Sequence, residues 1–193
     1  MAKLFTSLKS PRLIKMLNAG AIGVIPTDTV YGLVGKASKH KAIERLYTVK
    51  ERKHKAGTTI GASIGQFQAL GFPYEPLAHA NRYWPASLSV VIDATDVKDY
   101  LKADREALPV RIPDSPLLLD LLTKTGPLMT TSANHPGERT ATNVRQAMAY
   151  FGDSVDFYVD AGELGIRPPS TIIDINSYGK IKIHREGAVE INP

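Results

Sequence analysis

The sequence predicts a single mixed α/β domain. Short apolar runs typical of buried strands alternate along the chain with stretches whose apolar residues recur at helical spacing. The 193 residues fit one domain, and an apolar content of 43% is sufficient for a hydrophobic core. No repeat, low-complexity tract or interdomain linker interrupts the alternation, so residues 1–193 are expected to form this one domain.

The composition excludes several classes of protein. Cysteine is absent, which rules out a disulfide framework, a thiolate metal site and a cysteine nucleophile. No apolar run is long enough to cross a bilayer, and residues 1–7 lack the apolar stretch of a signal peptide, so we expect a cytoplasmic protein without a membrane partner. The net charge of +5 favours anionic ligands such as nucleotides or RNA.

The first helix is predicted from a start signal and a stop signal. Ser10 can cap it, Pro11 occupies the first turn where a missing N–H costs nothing, and Gly20 ends it. The apolar run 21–26 then predicts a buried strand that delivers the polar stretch 27–32 to its carboxyl end. In open α/β sheets, ligands bind at that edge.

A second helix is predicted over residues 39–52, and its last turn is basic. Lys50, Arg52 and Lys53 lie in this turn, and Lys55 follows shortly after. The cluster can be cations that stabilise the negative end of the helix dipole. It can equally be a phosphate clamp, because Arg offers a planar fork and Lys a point charge. The residues alone leave both interpretations open.

Later elements are predicted in the same way. Further helices are expected at 64–70, 76–84, 117–123 and 142–150, and further strands at 88–92, 108–113, 155–159, 170–175 and 180–184. The segment 56–63 is small and partly strand-like, and the charged passage 93–106 is expected to be exposed.

Two stretches are ambiguous at this level. Arg111 lies within the apolar run 108–113, where it either snorkels to the surface or points at an anion. The stretch 129–137 passes from apolar to hydroxyl and amide side chains and breaks at Pro-Gly. It is either an ordinary turn or a buried strand that opens into a ligand-binding loop.

Familiar catalytic signatures are missing. The sequence has no G-x-x-x-x-G-K-[ST] phosphate loop, no dinucleotide-binding fingerprint, no nucleophile elbow, and no histidines at zinc-site spacing. What remains is a set of hydroxyl-rich loops with arginines at strand ends. Such a site suits positioning and charge stabilisation, which phosphoryl and nucleotidyl transfer mainly require.

Six short motifs, taken together in order, resemble the YrdC family, the threonylcarbamoyl-AMP synthases. They are Pro26-Thr27-Asp28-Thr29-Val30-Tyr31-Gly32, Lys50-x-Arg52, Val110-Arg111-Ile112-Pro113-Asp114, Ser132-Ala133-Asn134, Ser170-Thr171-Ile172-Ile173-Asp174 and Arg185-x-Gly187-Ala188. The resemblance covers about residues 13–188. It implies a twisted, open, mixed sheet flanked by helices, an α/β twist of the double-stranded-RNA-binding type, in the short form without an extra C-terminal domain.

The resemblance also implies a reaction. Family members condense L-threonine, bicarbonate and ATP into threonylcarbamoyl-AMP and release pyrophosphate. A partner complex then transfers the threonylcarbamoyl group to tRNA, which is itself a candidate partner. Mg²⁺ is expected with ATP, held mainly by phosphates and water, so no protein ligand to a metal is named.

Matching positions imply the site residues. The resemblance assigns Thr29, Arg111, Thr130 and Ser170 to L-threonine; Lys50, Arg52, Ser132 and Asn134 to catalysis; and Arg52, Ser132, Thr140 and Arg185 to ATP.

The segment after Arg52 departs from the family pattern. Ala56 stands where the family commonly has a polar ATP contact, and Pro136-Gly137 replaces a Ser-Gly step. The chain is therefore either a divergent synthase or a non-catalytic RNA- or nucleotide-binding paralogue of the same fold. A carbamoyl-transfer module of the hydrogenase-maturation kind is disfavoured, because the zinc-finger and acylphosphatase-like segments are not expected here.

Overall fold

The computed structural model describes residues 1–51, 56–176 and 179–191. The helices are α1 (Pro11–Ala19), α2 (His40–Val49), α3 (Ile64–Gln68), α4 (Tyr74–Asn81), α5 (Asp99–Lys102), α6 (Pro116–Thr125) and α7 (Val144–Phe151), with a 3₁₀ turn at Gly152–Ser154. The strands are β1 (Lys3–Phe5), β2 (Ile22–Pro26), β3 (Tyr31–Lys36), β4 (Thr58–Ile60), β5 (Leu88–Asp93), β6 (Ala107–Arg111), β7 (Leu128–Ser132), β8 (Phe157–Val159), β9 (Thr171–Ile175) and β10 (Ile181–Arg185).

In the described parts of the chain the strands form one open, mixed sheet. Their order across it is β1-β8-β2-β3-β7-β4-β6-β5-β9-β10. The pairs β1/β8, β2/β8, β4/β6 and β5/β9 are parallel, and the remaining neighbours are antiparallel. The predicted mixed α/β fold is therefore confirmed.

Apolar side chains cover both faces of the sheet. Along β2, Ile22 and Val24 belong to the core that also holds Ile43 of α2, while Ile25 belongs to the core that holds Leu13 of α1. This alternation follows from the two-residue period of a strand. Helices α1 and α6 therefore pack on one face, and α2, α5 and α7 pack on the other.

The residues that were predicted to begin and end helices do so in the structure. The Ser10 hydroxyl accepts a hydrogen bond from the Leu13 amide, and Gly20 ends α1 with a φ of 99°. Ser115 caps α6 in the same way, through the amide of Leu118. Among the described residues, no helix is both long and apolar enough to span a membrane.

The structure adds two strands that the sequence did not predict. Strand β3 continues directly from the polar turn after β2 and pairs with it in antiparallel fashion. It is buried on both sides, and it contains Gly32 and Gly35, so neither alternation nor strand propensity marks it. Strand β1 has three residues and is largely exposed.

The expectation that residues 93–106 are exposed is wrong in part. Ala94, Val97 and Leu101 are buried in the core, and α5 forms within this passage. The charged residues between them predict a surface position. The apolar residues, however, recur at spacings of three and four, which places one side of the passage in the core.

Helix α2 ends earlier than the predicted helix 39–52. It ends at Val49, and Lys50 follows as its C-terminal cap residue. Arg52 and the rest of the predicted basic turn, residues 52–55, lie outside the described residues.

Candidate functional site

A cavity of about 500 Å³ lies beside the centre of the sheet. Every predicted site residue that the structure describes lines it: Thr29, Lys50, Arg111, Thr130, Ser132, Asn134, Thr140, Ser170 and Arg185. The ligand-binding interpretation of the stretch 129–137 is therefore the one that fits the fold.

The strand register explains why these residues meet. Ser132 at the end of β7 pairs with Gly32 at the start of β3, and Thr130 lies opposite Thr58 of β4. Arg111 at the end of β6 then pairs with Ile60 of β4. Four adjacent strands thus bring residues that are distant in sequence to one wall.

Arg111 forms a buried ion pair with Asp28. Its Nη2 atom lies 2.9 Å from Asp28 Oδ1, and both side chains are almost completely buried. The other carboxylate oxygen of Asp28 accepts a hydrogen bond of 2.9 Å from the Ser87 hydroxyl. Burial lowers the pKa of the Arg111 guanidinium, and the Asp28 charge opposes that shift. The snorkelling alternative for Arg111 is wrong.

The Arg111 guanidinium, which lines the cavity, retains unused donor capacity. Its Nε atom is buried and has no hydrogen-bond partner among the described residues, and its contact to the Ser89 hydroxyl is long, at 3.5 Å. A buried donor without a partner is unfavourable unless a ligand satisfies it. Arg111 can therefore bind an anion while Asp28 holds the side chain in place.

Ser170 links Arg111 to Arg185. The hydroxyls of Ser89 and Ser170 lie 3.0 Å apart. The Arg185 guanidinium donates to the Ser170 carbonyl from Nε and Nη2, at 3.0 and 2.7 Å, and to its hydroxyl at 3.1 Å. The predicted nucleotide contact of Arg185 stays a prediction, and the structure places this side chain against the residue expected to bind threonine.

The Lys50 ammonium is fixed at the end of β7. It donates to the Ser132 carbonyl at 2.7 Å, to Asn134 Oδ1 at 2.6 Å and to the Asn134 carbonyl. The Ser132 hydroxyl also donates to Asn134 Oδ1, at 2.7 Å, and the Asn134 amide donates to the Glu138 carbonyl. Lys50, Ser132 and Asn134 thus form one preorganised cluster with a buried positive charge.

Small residues let hydroxyl groups reach the cavity. The hydroxyls of Thr27 and Thr29 lie 3.1 Å apart within the turn between β2 and β3. A Cβ atom on Gly32 would lie 2.6 Å from Thr130 Oγ1, and one on Gly57 would lie 2.7 Å from the Thr130 carbonyl oxygen. Glycine is therefore required at both positions if Thr130 is to keep its place.

Sequence reasoning missed several residues of the site. Thr27 and Arg167 line the cavity, and Asp28, Ser87 and Ser89 form the hydrogen-bonded support beneath it. Asp28 belongs to the motif of residues 26–32, but nothing in the local sequence indicates that its partner is Arg111. Arg167 lies in a loop between two strands and carried no motif.

The cavity has a defined chemical character. Its described lining carries hydroxyls, an amide and several cations, and no carboxylate. In the described residues, no group of three or more His, Cys, Asp or Glu side chains could hold a metal ion. The volume suits a small-molecule ligand, and the fold and cleft therefore define an α/β protein with a cationic, hydroxyl-rich cavity that fits an anionic small molecule.

The family follows from comparison with known sequences. Residues 15–187 match the profile of the Sua5/YciO/YrdC family, which is described as "Telomere recombination". The threonylcarbamoyl-AMP synthase of Marinobacter nauticus is 31% identical over 163 residues, which cover 81% of this chain and 86% of that protein. The chain belongs to the Sua5/YciO/YrdC family.

Solved structures agree with this assignment. Pyrococcus abyssi Sua5 complexed with L-threonine superposes with a TM-score of 0.82 at 25% identity, covering 97% of this chain and 57% of that protein. This chain thus spans less than two thirds of that Sua5. Escherichia coli YciO matches with a TM-score of 0.82 at 22% identity and 98% coverage of both chains, which shows the shared fold.

Proposed function

We propose that this protein is an L-threonylcarbamoyladenylate synthase. The supporting observation is one cavity that joins the Asp28–Arg111 pair to the Lys50–Ser132–Asn134 cluster, in a chain of the Sua5/YciO/YrdC family. A relative with the same fold binds L-threonine, and a relative of similar length is named threonylcarbamoyl-AMP synthase.

L-threonine binds at the Arg111 end of the cavity in this proposal. Its carboxylate pairs with the guanidinium of Arg111, whose Nε atom has no partner among the described residues. The hydroxyls of Thr29, Thr130 and Ser170 surround the rest of the amino acid. All of these side chains are buried, which strengthens charge-assisted hydrogen bonds to a small anion.

The chemistry takes place at the Lys50 end. The threonine amine takes up the carbon of bicarbonate to give a carbamate, and water is lost. A carbamate oxygen then attacks the α-phosphorus of ATP, and pyrophosphate leaves. The fixed Lys50 ammonium stabilises negative charge on the phosphate through its electric field, and the Ser132 hydroxyl turns from Asn134 Oδ1 to donate to a phosphate oxygen. Arg52, Thr140 and Arg185 complete the ATP contacts.

Mg²⁺ accompanies ATP in this proposal. The described cavity wall offers neutral oxygens and no carboxylate, so phosphate oxygens and water are the ligands that fit the ion. The ion supplies neutralisation of phosphate charge when it is bound.

The product is a reactive acyl phosphate that a threonylcarbamoyl-transfer complex uses to modify tRNA. We therefore place the protein in the cytoplasm with those partners. The net charge of +5 supports an encounter with tRNA.

The test is release of pyrophosphate from purified protein. L-threonine, bicarbonate and MgATP together should give pyrophosphate and threonylcarbamoyl-AMP, and omission of any one should abolish both. The Lys50→Met variant serves as the control, because it removes the fixed charge. Absence of threonine-dependent pyrophosphate release at every magnesium concentration would rule out the synthase.

One observation favours a second candidate, a non-catalytic RNA- or nucleotide-binding paralogue. Ala56 lines the cavity beside Gly57 and Thr58, where the family commonly has a polar ATP contact. Tight, strongly salt-dependent binding of tRNA without pyrophosphate release would support this alternative.

A further inference from the structure

We propose that Arg167 binds the polyphosphate of ATP from the open side of the cavity. The proposal rests on the proposed function, since it names a further substrate contact in the same site. Arg167 lines the cavity and is exposed. It belongs to none of the six motifs that carry the family resemblance.

The other cations of the described cavity wall are already engaged by protein oxygens. Lys50 is bound to Ser132 and Asn134, Arg111 to Asp28, and Arg185 to Ser170. Within the described ranges, the Arg167 side chain makes no hydrogen bond or ion pair. Its guanidinium is therefore the wall cation that can meet a ligand without first breaking a contact to another described residue.

The loop that carries Arg167 is anchored on both sides. Before it, the Leu164 amide donates to the Thr142 carbonyl at 2.8 Å, and the Glu163 carboxylate accepts from Asn143 and from the Gly165 amide. After it, the Pro169 carbonyl accepts from the Ala188 amide at 2.8 Å. Only residues 165–168 span the gap between these anchors.

The backbone of this short bridge is also restricted. Arg167 precedes two prolines, which fix their own φ angles and bias the residue before them toward extended backbone. Gly165 has a φ of 68°, which starts the bridge with a turn that a glycine adopts freely. The bridge thus presents the Arg167 side chain to the cavity with little backbone entropy left to lose on binding.

A guanidinium matches the chemistry of a polyphosphate. Its planar fork donates two parallel hydrogen bonds to phosphate oxygens, and its charge is permanent. The wall formed by Ala56 and Gly57 offers no polar side chain, so part of the ATP contact has to come from elsewhere. The exposed position of Arg167 suits the phosphates that leave as pyrophosphate, because that product has to reach solvent.

The test compares Arg167→Gln with Arg12→Gln. Arg12 is an exposed arginine on α1, and no residue of that helix belongs to the described cavity lining, so its variant loses the same charge outside the cavity. We expect Arg167→Gln to raise KM for ATP roughly 10- to 100-fold, the loss of a charge-assisted contact, with less than twofold change in KM for threonine. Arg167→Lys should fall between the wild type and Arg167→Gln.

Calorimetric binding of ATP and of inorganic triphosphate, without threonine, separates this proposal from the proposed function. Weaker binding of both ligands by Arg167→Gln alone would support the Arg167 contact even if the wild type released no pyrophosphate. Equal affinities in the wild type and Arg167→Gln, or an equal loss in Arg12→Gln, would overturn it.

Discussion

At the scale of single residues, the Asp28–Arg111 pair supports the end of the cavity at which L-threonine is proposed to bind. Both side chains are nearly fully buried, and Asp28 is held in turn by Ser87. A buried charge that loses its partner is strongly destabilising, because neither water nor another charge compensates for it. The same pair also orients the guanidinium that is proposed to bind threonine.

The variant Asp28→Asn should therefore lower the free energy of unfolding by about 3–5 kcal/mol, measured by urea denaturation. Ser87→Ala is the matched control, because it removes one hydrogen bond to Asp28 and keeps the ion pair, with an expected loss of about 1.5–3 kcal/mol. Equal losses in the two variants would show that the ion pair contributes no more than the hydrogen bond.

Several residues that line the cavity were predictable because they belong to the short motifs that carry the family resemblance. Thr29, Arg111, Ser132 and Ser170 all line the cavity as expected. The partners were not predictable. Asp28 meets Arg111 only because the turn after β2 folds against the end of β6, a contact across 83 positions of sequence.

At the scale of elements, strand β3 determines how closely β3 and β7 pack together in the wall of the cavity. Gly32 lies opposite Ser132 of β7, and a side chain there would displace the Thr130 hydroxyl. Of the two glycines that make β3 hard to recognise as a strand, Gly32 is thus the one that the site requires. A pattern search that rewards bulky β-branched residues misses such a strand for this reason.

We expect Gly32→Ala to raise KM for threonine and to lower stability, because the new Cβ would lie 2.6 Å from Thr130 Oγ1. Gly65→Ala on the exposed face of α3 is the control. The atom nearest to its added Cβ lies 3.8 Å away, so it should stabilise the protein by about 0.4–1 kcal/mol. Unchanged threonine kinetics in Gly32→Ala would contradict the proposed position of Thr130.

At the scale of the whole molecule, the order of the strands was beyond prediction from sequence. The alternation of apolar runs indicates strands and helices, but it does not say that β7 lies between β3 and β4, or that β9 lies beside β5. Those neighbours are selected by packing over the complete sheet. The resemblance to a family supplied the kind of sheet, and only the structure supplied its order.

Buried tyrosines make stability depend on pH at the alkaline end. Desolvation, aided by repulsion from Asp153, raises the pKa of Tyr158 to about 12. Its stabilising effect is complete below the unfolded value of about 10 and is lost as pH rises toward 12, because only the unfolded state ionises between these values. Burial raises the pKa of Tyr31 and Tyr100 as well, which adds to the same slope.

Urea unfolding measured from pH 8 to pH 11.5 should therefore show a declining free energy of unfolding. Tyr158→Phe should reduce this decline by about 2 kcal/mol between pH 8 and pH 11.5, at a cost of about 1 kcal/mol at pH 8 for the lost hydrogen bond to Gly152. Tyr74→Phe, at an exposed tyrosine on α4, should leave the slope as in the wild type. If the free energy of unfolding of Tyr158→Phe declines with pH as steeply as that of the wild type, groups other than Tyr158 cause the loss of stability at alkaline pH.

The pairing of β1 with β8 has a consequence for synthesis on the ribosome. Lys3 pairs with Phe157, and β2 shares the same partner through Gly23. Until residues near Phe157 leave the exit tunnel, the first two strands present unpaired backbone edges, which are templates for association with other chains. A nascent chain thus exposes these edges while the residues up to about Phe157 are being made, and the short strand β8 then covers the edges of β1 and β2 that face it.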